Sequence, residues 1–489
     1  MASPDHLTKV LSPDCKVTIP EPNQPLHDVV SRWSDAGVSL PYAVVTPSRI
    51  EDLPHLIQYA KTHHLKIIPT NGGHASFVPI NKSTIYLDMQ PNFKAITLDE
   101  QKGQVTFGAG CLTGDVLKEL AGKGWYTCTP NANAVGITGA VLGGLSHALN
   151  GRHGYGVDHV REVGIVPFSR PPSSSSSSSS SRSRENETGE ILLSANSQGQ
   201  EKQLWNVMRG AGHGLGIITH ITLAAWRISS LNLDDDKFLT RRLIFPGPAI
   251  DAAVELYTSL LSHGSGTLPP QTSIVLVFLR APPTAPKPGA PTVMLAVSWF
   301  GAATAAESYL DEAWQGKESN MKKAVMDVSV RTAFADMNDG VEALNTHGGF
   351  KEYHGCFLEG VDGKHVVDAY RAWEAFTTGE NMKERGRSYV VFGSWSTEGM
   401  GRGVSSAGFR GEKEGKSEVT DFSPPRDRGI FVQCTPWYTS PSTKPAADSF
   451  GKGVVEGLRR KDDAEGRRRL CFANNVLGGG GQDMREVYG

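Results

Sequence analysis

The chain has no run approaching the ~18 consecutive apolar residues of a membrane-spanning helix. Its first residues, MASPDHLTKVLSPDCK, contain no apolar core of signal-peptide length. These two absences predict no membrane partner and an intracellular, cytoplasmic location. Neither sign of charge is in excess: 49 Lys and Arg stand against 51 Asp and Glu. That balance argues against nucleic acid or a membrane surface as a partner. Cysteine is sparse. Cys15, Cys111, Cys128, Cys356, Cys434 and Cys471 are scattered with no CxxC pair, which predicts free thiols rather than a zinc site or a disulfide framework. The sequons at Asn81-Lys82-Ser83 and Asn186-Glu187-Thr188 carry little weight without entry to the secretory route. Walker, HExxH and GxSxG motifs are absent. Gly108-Ala109-Gly110-Cys111-Leu112-Thr113-Gly114 misses the dinucleotide fingerprint by one residue between its second and third glycines, which argues against a nicotinamide-dependent dehydrogenase. His147, His153 and His159 are spaced six apart and share no helix face, so no metal site is predicted.

What is present is length, apolar material and glycine. The 489 residues, 39% hydrophobic, suffice for two or three domains with their own cores. Ser48-Arg49-Ile50-Glu51 reads as a capping box, followed by an apolar helical stripe of Leu53, Leu56, Ile57 and Ala60. Residues 66–68, 84–88 and 104–108 read as strands, and 113–121 as a short helix with Val116, Leu117 and Leu120 inward. At 169–188 an Arg-Pro-Pro and nine consecutive serines, Ser173 to Ser181, cannot build a core and predict a disordered insert. It falls between two strand-like pieces, 164–168 and 190–195, which places it at a hairpin tip. Beyond about 236 the texture changes. Four long strand-like runs, SIVLVFLRAP, VMLAVSWFG, SYVVFGSW and GIFVQCTPWY, alternate with helical segments near 304–316, 365–377 and 445–459. The expectation is an α+β unit, a large antiparallel sheet with helices on one face. Residues 402–427 read as an exposed loop.

The 54 glycines cluster. Thr70-Asn71-Gly72-Gly73-His74-Ala75-Ser76 follows a strand directly. Paired glycines there let the backbone approach a ligand and aim several N–H groups at one point, as a phosphate nest does. The run Val135-Gly136-Ile137-Thr138-Gly139-Ala140-Val141-Leu142-Gly143-Gly144 is dense enough in glycine to admit a flat or anionic ligand, or to pack elements tightly. Arg209-Gly210-Ala211-Gly212-His213-Gly214-Leu215-Gly216-Ile217-Ile218-Thr219 leads into a strand.

In this order and spacing the clusters resemble the FAD-binding domain of the vanillyl-alcohol-oxidase/p-cresol-methylhydroxylase (PCMH) type, and within it the berberine-bridge-enzyme-like oxidoreductases in their fungal form. Pro41 to Pro47 with Glu51-Asp52, Gly72-Gly73-His74, Leu87-Asp88 with Gly108-Ala109-Gly110, Val135 through Gly144 with Gly151, Gly154 and Asp158-His159-Val160, and Leu204-Trp205 with Arg209-Gly210 and Gly216 to Thr219 carry it. The resemblance implies an α+β fold: a PCMH-type FAD-binding domain of two subdomains at 1–235, a substrate domain at 236–460, and a segment at 461–489 returning to the FAD domain. It implies FAD held by residues 70–76, by Val135, Gly136, Thr138, Gly139, Gly143 and Gly144, by Gly216, Ile217 and Ile218, and by Asn474. It also implies a covalent bond from His74 to the flavin's 8α-methyl carbon.

The chain departs from the family pattern at several points. The position of the second covalent link, a Cys in many relatives, is Ala132, so attachment through His74 alone is expected. Leu145 replaces a glycine, with crowding of the flavin or shifted packing as the consequence. Phe472-Ala473-Asn474-Asn475 resembles a Tyr-x-Asn-Tyr motif, but Asn475 cannot act as a base. Relatives continue past Tyr488-Gly489, so the resemblance leaves two readings of the end, a tail genuinely absent or a truncated sequence. The implied chemistry is hydride removal from an alcohol or amine carbon of a small organic substrate to flavin N5, with molecular oxygen as the second substrate. Tyr353, His354 and Tyr438 are the candidate bases. A flavin-binding protein without turnover and an oxidative cyclase of secondary metabolism stand as alternatives. The sequence leaves the substrate and the oligomeric state open.

Overall fold

The computed structural model describes residues 4–169, 188–264, 266–398, 400, 426–475 and 483–488. The serine-rich stretch and most of the loop expected at 402–427 lie outside the described residues.

The first half builds two larger sheets and a two-stranded one, Trp125–Tyr126 with Trp226–Arg227. Ala43–Thr46, Thr84–Asp88 and Lys66–Thr70 pair in parallel, with Lys16–Thr18 antiparallel at one edge. The helix Asp52–Thr62 buries Leu53, Leu56, Ile57 and Ala60, the predicted stripe. Its start differs from the expected capping box. Asp52, not Glu51, does the capping work: its carboxylate accepts from the Ser48 backbone N–H at 3.3 Å and the Ser48 hydroxyl at 3.2 Å. Ser12 adds a backbone bond at 2.8 Å, and together these hydrogen bonds hold the Asp52 carboxyl below its ordinary range despite burial. The second sheet is antiparallel, in the order Ile96–Asp99, Gln104–Gly108, Gly216–Ala224, Val160–Pro167, Ile191–Ser194. Because Val160–Pro167 and Ile191–Ser194 are paired neighbours, the chain between them leaves and re-enters at one hairpin end.

The second half is a seven-stranded sheet with antiparallel neighbours, ordered Met326–Ala333, Lys237–Pro246, Pro291–Trp299, Thr272–Arg280, Tyr389–Trp395, Ile430–Thr435, His354–Leu358. Side chains alternate between its faces. One face, with Leu243, Leu276, Leu295, Phe392 and Val432, packs under the helices Ile250–Ser262, Gly363–Thr377 and Lys444–Ala464. Burial of each such side chain contributes ~1.5–3 kcal/mol. The other face, with Thr240, Arg242, Ala296, Val391 and Gln433, lines a cavity against the first half. This is the α+β architecture expected from the strand and helix texture. No helix among the described residues is long and apolar enough to cross a membrane.

Candidate FAD and substrate site

The cavity between the sheet face and the glycine-rich segments measures about 630 Å³, within the ~300–1,000 Å³ usual for cofactor and ligand sites. Thr70, Asn71, Gly73, His74 and Ala75 line one end. Arg32 clamps this loop, donating from Nη2 to the carbonyls of Ala75 and, at 3.1 Å, Val78. His347 Nε2 donates to the Gly72 carbonyl at 2.9 Å. Gly73 has φ +68°, and a Cβ there would stand 2.4 Å from the Ser31 carbonyl oxygen, so only glycine lets the loop close.

Asn71 has a different task from that expected. Its amide is spent inside the protein, donating to the carbonyls of Ala109 (2.8 Å) and Cys111 (3.1 Å) and accepting from Gly72 N–H at 2.6 Å. It crosses Gly136 so closely that a Cβ there would lie 1.5 Å from Asn71 Oδ1. Val135, Gly136, Thr138, Gly139, Gly216, Ile218 and Asn474 also line the cavity, whereas Gly72, Ser76, Gly143, Gly144 and Ile217 do not. Ile217 is fully buried because alternation turns it to the opposite face of its strand. Gly143 acts one layer back: a Cβ there would meet Asn474 Oδ1 at 2.0 Å and His213 Cε1 at 2.8 Å. Asn474 Nδ2 in turn donates to the Ala140 carbonyl at 2.9 Å. Leu145 adopts φ 53° and is buried against Gly156, whose missing Cβ makes room for it.

His74 has a distinctive environment. Both ring nitrogens are buried without a hydrogen-bond partner. Its ring stacks 6.0 Å from Trp33 and meets His347 edge-on at 5.3 Å. Burial, then the neighbouring His347, Lys351 and Arg32, push its pKa down to about 3. At neutral pH it is an uncharged imidazole facing the cavity with a free lone pair. Lys351, fully buried, sits 3.8 Å over Trp437 and 4.6 Å over Trp33, donates to the Thr346 carbonyl at 2.6 Å, and is pushed down to about 7 by desolvation.

Of the three candidate bases, Tyr353 lines the cavity, stacked on Trp33 at 4.4 Å. Burial holds its pKa well above 10, so it is a phenol and a hydrogen-bond donor. The other two expectations are corrected. Tyr438 is buried with Phe350, Phe376 and Ala447, because the short strand Trp437–Tyr438 turns it from the cavity. His354 lies against Gly451 of the long helix, with a Cβ position 2.3 Å from its ring. There Glu352, His354 and Asp448 gather within metal-ligand distance. The cation among them is Lys444, whose Nζ lies 2.7 Å from Glu352 and 3.1 Å from Asp448. His147 and His159 direct Nε2 at the carbonyls of Gly154 and His153, and His153 Nε2 bonds the Tyr126 hydroxyl at 2.9 Å. The residues that sequence reasoning missed are Arg32, His213, His347, Lys351 and the pair Tyr389–Gln433, joined at 3.3 Å. Of these only His213, inside the third glycine cluster, carried a signal.

Residues 41–167 match the model of the FAD binding domain family. Over 448 residues, 91% of this chain and 86% of the relative, the chain is 22% identical to FAD-linked oxidoreductase hasG of Aspergillus fumigatus. It is 24% identical over 266 residues to FAD-linked oxidoreductase azaL of Aspergillus niger, covering 54% of this chain and 50% of that protein. The match thus spans about half of that curated relative's length. Among solved structures, Physcomitrella patens BBE-like 1 superposes with a TM-score of 0.72 at 15% identity, covering 100% of this chain and 94% of that one. The fold is therefore that of the berberine-bridge-enzyme-like proteins. Residues 41–167 are thus an FAD-binding domain, and along the chain the similarity is to FAD-linked oxidoreductases.

Proposed function

We propose that the cavity holds FAD attached covalently through His74 and that the protein oxidises an alcohol or amine carbon of a small organic substrate, with oxygen as the final acceptor. The observation that carries this reading is the buried, neutral and unpartnered His74 imidazole at the cavity wall. The glycine approaches at Gly73 and Gly136 fit a cofactor threaded close to the backbone. When bound, FAD supplies the hydride acceptor and the route to oxygen. The chain's own residues do the rest. Loop 72–78, pinned by Arg32 and His347, fixes His74 in place. Val135, Gly136, Thr138, Gly139 and Ile218 form one wall, and the sheet face with Tyr389 and Gln433 closes the other, excluding water.

Tyr353 and Tyr389 are both held protonated by burial, Tyr389 near 12. They orient a substrate oxygen or nitrogen rather than deprotonate it, and the Asn475 amide at the cavity wall cannot take up a proton at neutral pH. An amine bound in its neutral form fits such a site without a base. The absence of a base on these three residues favours, as the second reading, a flavin protein without turnover. Oxygen uptake with peroxide formation on a panel of alcohols and amines decides between them. Bound FAD that no member of the panel reduces would support the second.

A further inference from the structure

Arg241 and Arg242 are neighbours on the strand Lys237–Pro246 and so point to opposite faces of the sheet. Arg241 is neutralised on the helix side by a two-pronged pair with Asp327, at 3.0 and 2.8 Å. Arg242 faces the cavity. Its Nε is buried without a hydrogen-bond partner, and among the described residues no carboxylate lies within ion-pairing distance of it. The residues paired with it on the adjacent strands, Ala296 and Val328, are apolar. The nearby Thr240 and Ser298 hydroxyls satisfy each other at 2.9 Å. The acid on the cavity lining, Asp336, is exposed. The other guanidinium on the lining, Arg32, is held by its Nη2 on two carbonyls of the 72–78 loop, although its Nε too lacks a partner. Against Arg242 stands Gly340, where even a Cβ would come within 3.4 Å of Nη2. A planar cation left without a counter-charge on a cavity wall is costly unless a ligand supplies one, and its fork geometry matches a carboxylate.

We infer that Arg242 anchors a carboxylate of the substrate, so that the protein acts on organic acids. This rests on the cavity being the substrate and cofactor site. The test titrates the holoprotein with benzoate and its neutral isostere benzamide, read by calorimetry and by the flavin absorption band. Wild type should bind benzoate and reject benzamide. Arg242→Met should weaken benzoate about 10- to 100-fold with flavin content and melting temperature unchanged, and Arg242→Lys should keep part of the affinity. Equal binding of benzoate by wild type and Arg242→Met, equal binding of benzoate and benzamide by wild type, or no binding of benzoate by wild type would overturn the inference. So would Arg242→Met protein purified without flavin, which would assign the arginine to the cofactor. Calorimetry does not depend on the flavin. A wild-type protein without FAD therefore defeats the cofactor reading, while the benzoate titration still decides the anchor.

Discussion

Two glycine contacts set the shape of the cofactor loop. At Gly136 a methyl group would displace the Asn71 amide, which ties its loop to the 109–111 segment. Gly136→Ala is expected to cost about 2 kcal/mol in overpacking and to lower the flavin-to-protein ratio. Denaturant unfolding and the visible spectrum check the two parts, and a fully loaded, equally stable variant would contradict the account. Gly73 and Gly136 were legible in the sequence because close approach admits few residue types, and His74 through the resemblance. Arg32, His347 and Lys351 were not. Each is a single polar residue with no spacing pattern, brought to the loop only by tertiary folding. Asn71 was legible as a loop residue, but its partners, the carbonyls of Ala109 and Cys111, were not.

Among the elements, alternation along strands decided most placements. The runs 273–282, 293–301 and 388–395 announced a sheet, but not which face would meet the cofactor domain. That choice depends on the helices that cover the opposite face. Tyr438 was misplaced for this reason: its strand is two residues long and pairs with Phe350–Lys351 instead of joining the large sheet. A different link binds the glycine-rich segment to the second half. Asp158, its side chain 1% exposed, receives Arg426 Nη2 at 2.6 Å and Nη1 at 2.9 Å. Asp158→Ala leaves that guanidinium half-buried without its carboxylate, holding only the Met400 carbonyl at 2.9 Å. It should lower unfolding free energy by about 3 kcal/mol, read by chemical denaturation. A loss within a few tenths would show the pair to be ornamental.

For the whole molecule, buried histidines dominate the response to acid. Burial pushes His147 down to about 3 and His354 down to about 4, and lowers His153 and His159 as well. The unfolded chain binds these protons below ~6.5 and the folded chain does not, so stability falls as pH drops from ~6.5 toward 4. His220 runs the other way. Its hydrogen bond to Glu190 raises its pKa, so its contribution is present below ~6.5 and is lost as pH rises through the raised value. With His74, His213 and His347, also lowered by burial, seven histidines among the described residues stand against one and predict lower unfolding free energy at pH 5 than at pH 7.5, each adding up to about 1.4 kcal/mol per pH unit. A flat profile would contradict this.

The covalent flavin bond proposed at His74 is read out by acid precipitation of the purified protein. The yellow colour should stay with the pellet of wild type and be released to the supernatant from His74→Ala. Colour released entirely from wild type, or retained in the pellet of His74→Ala, would contradict it.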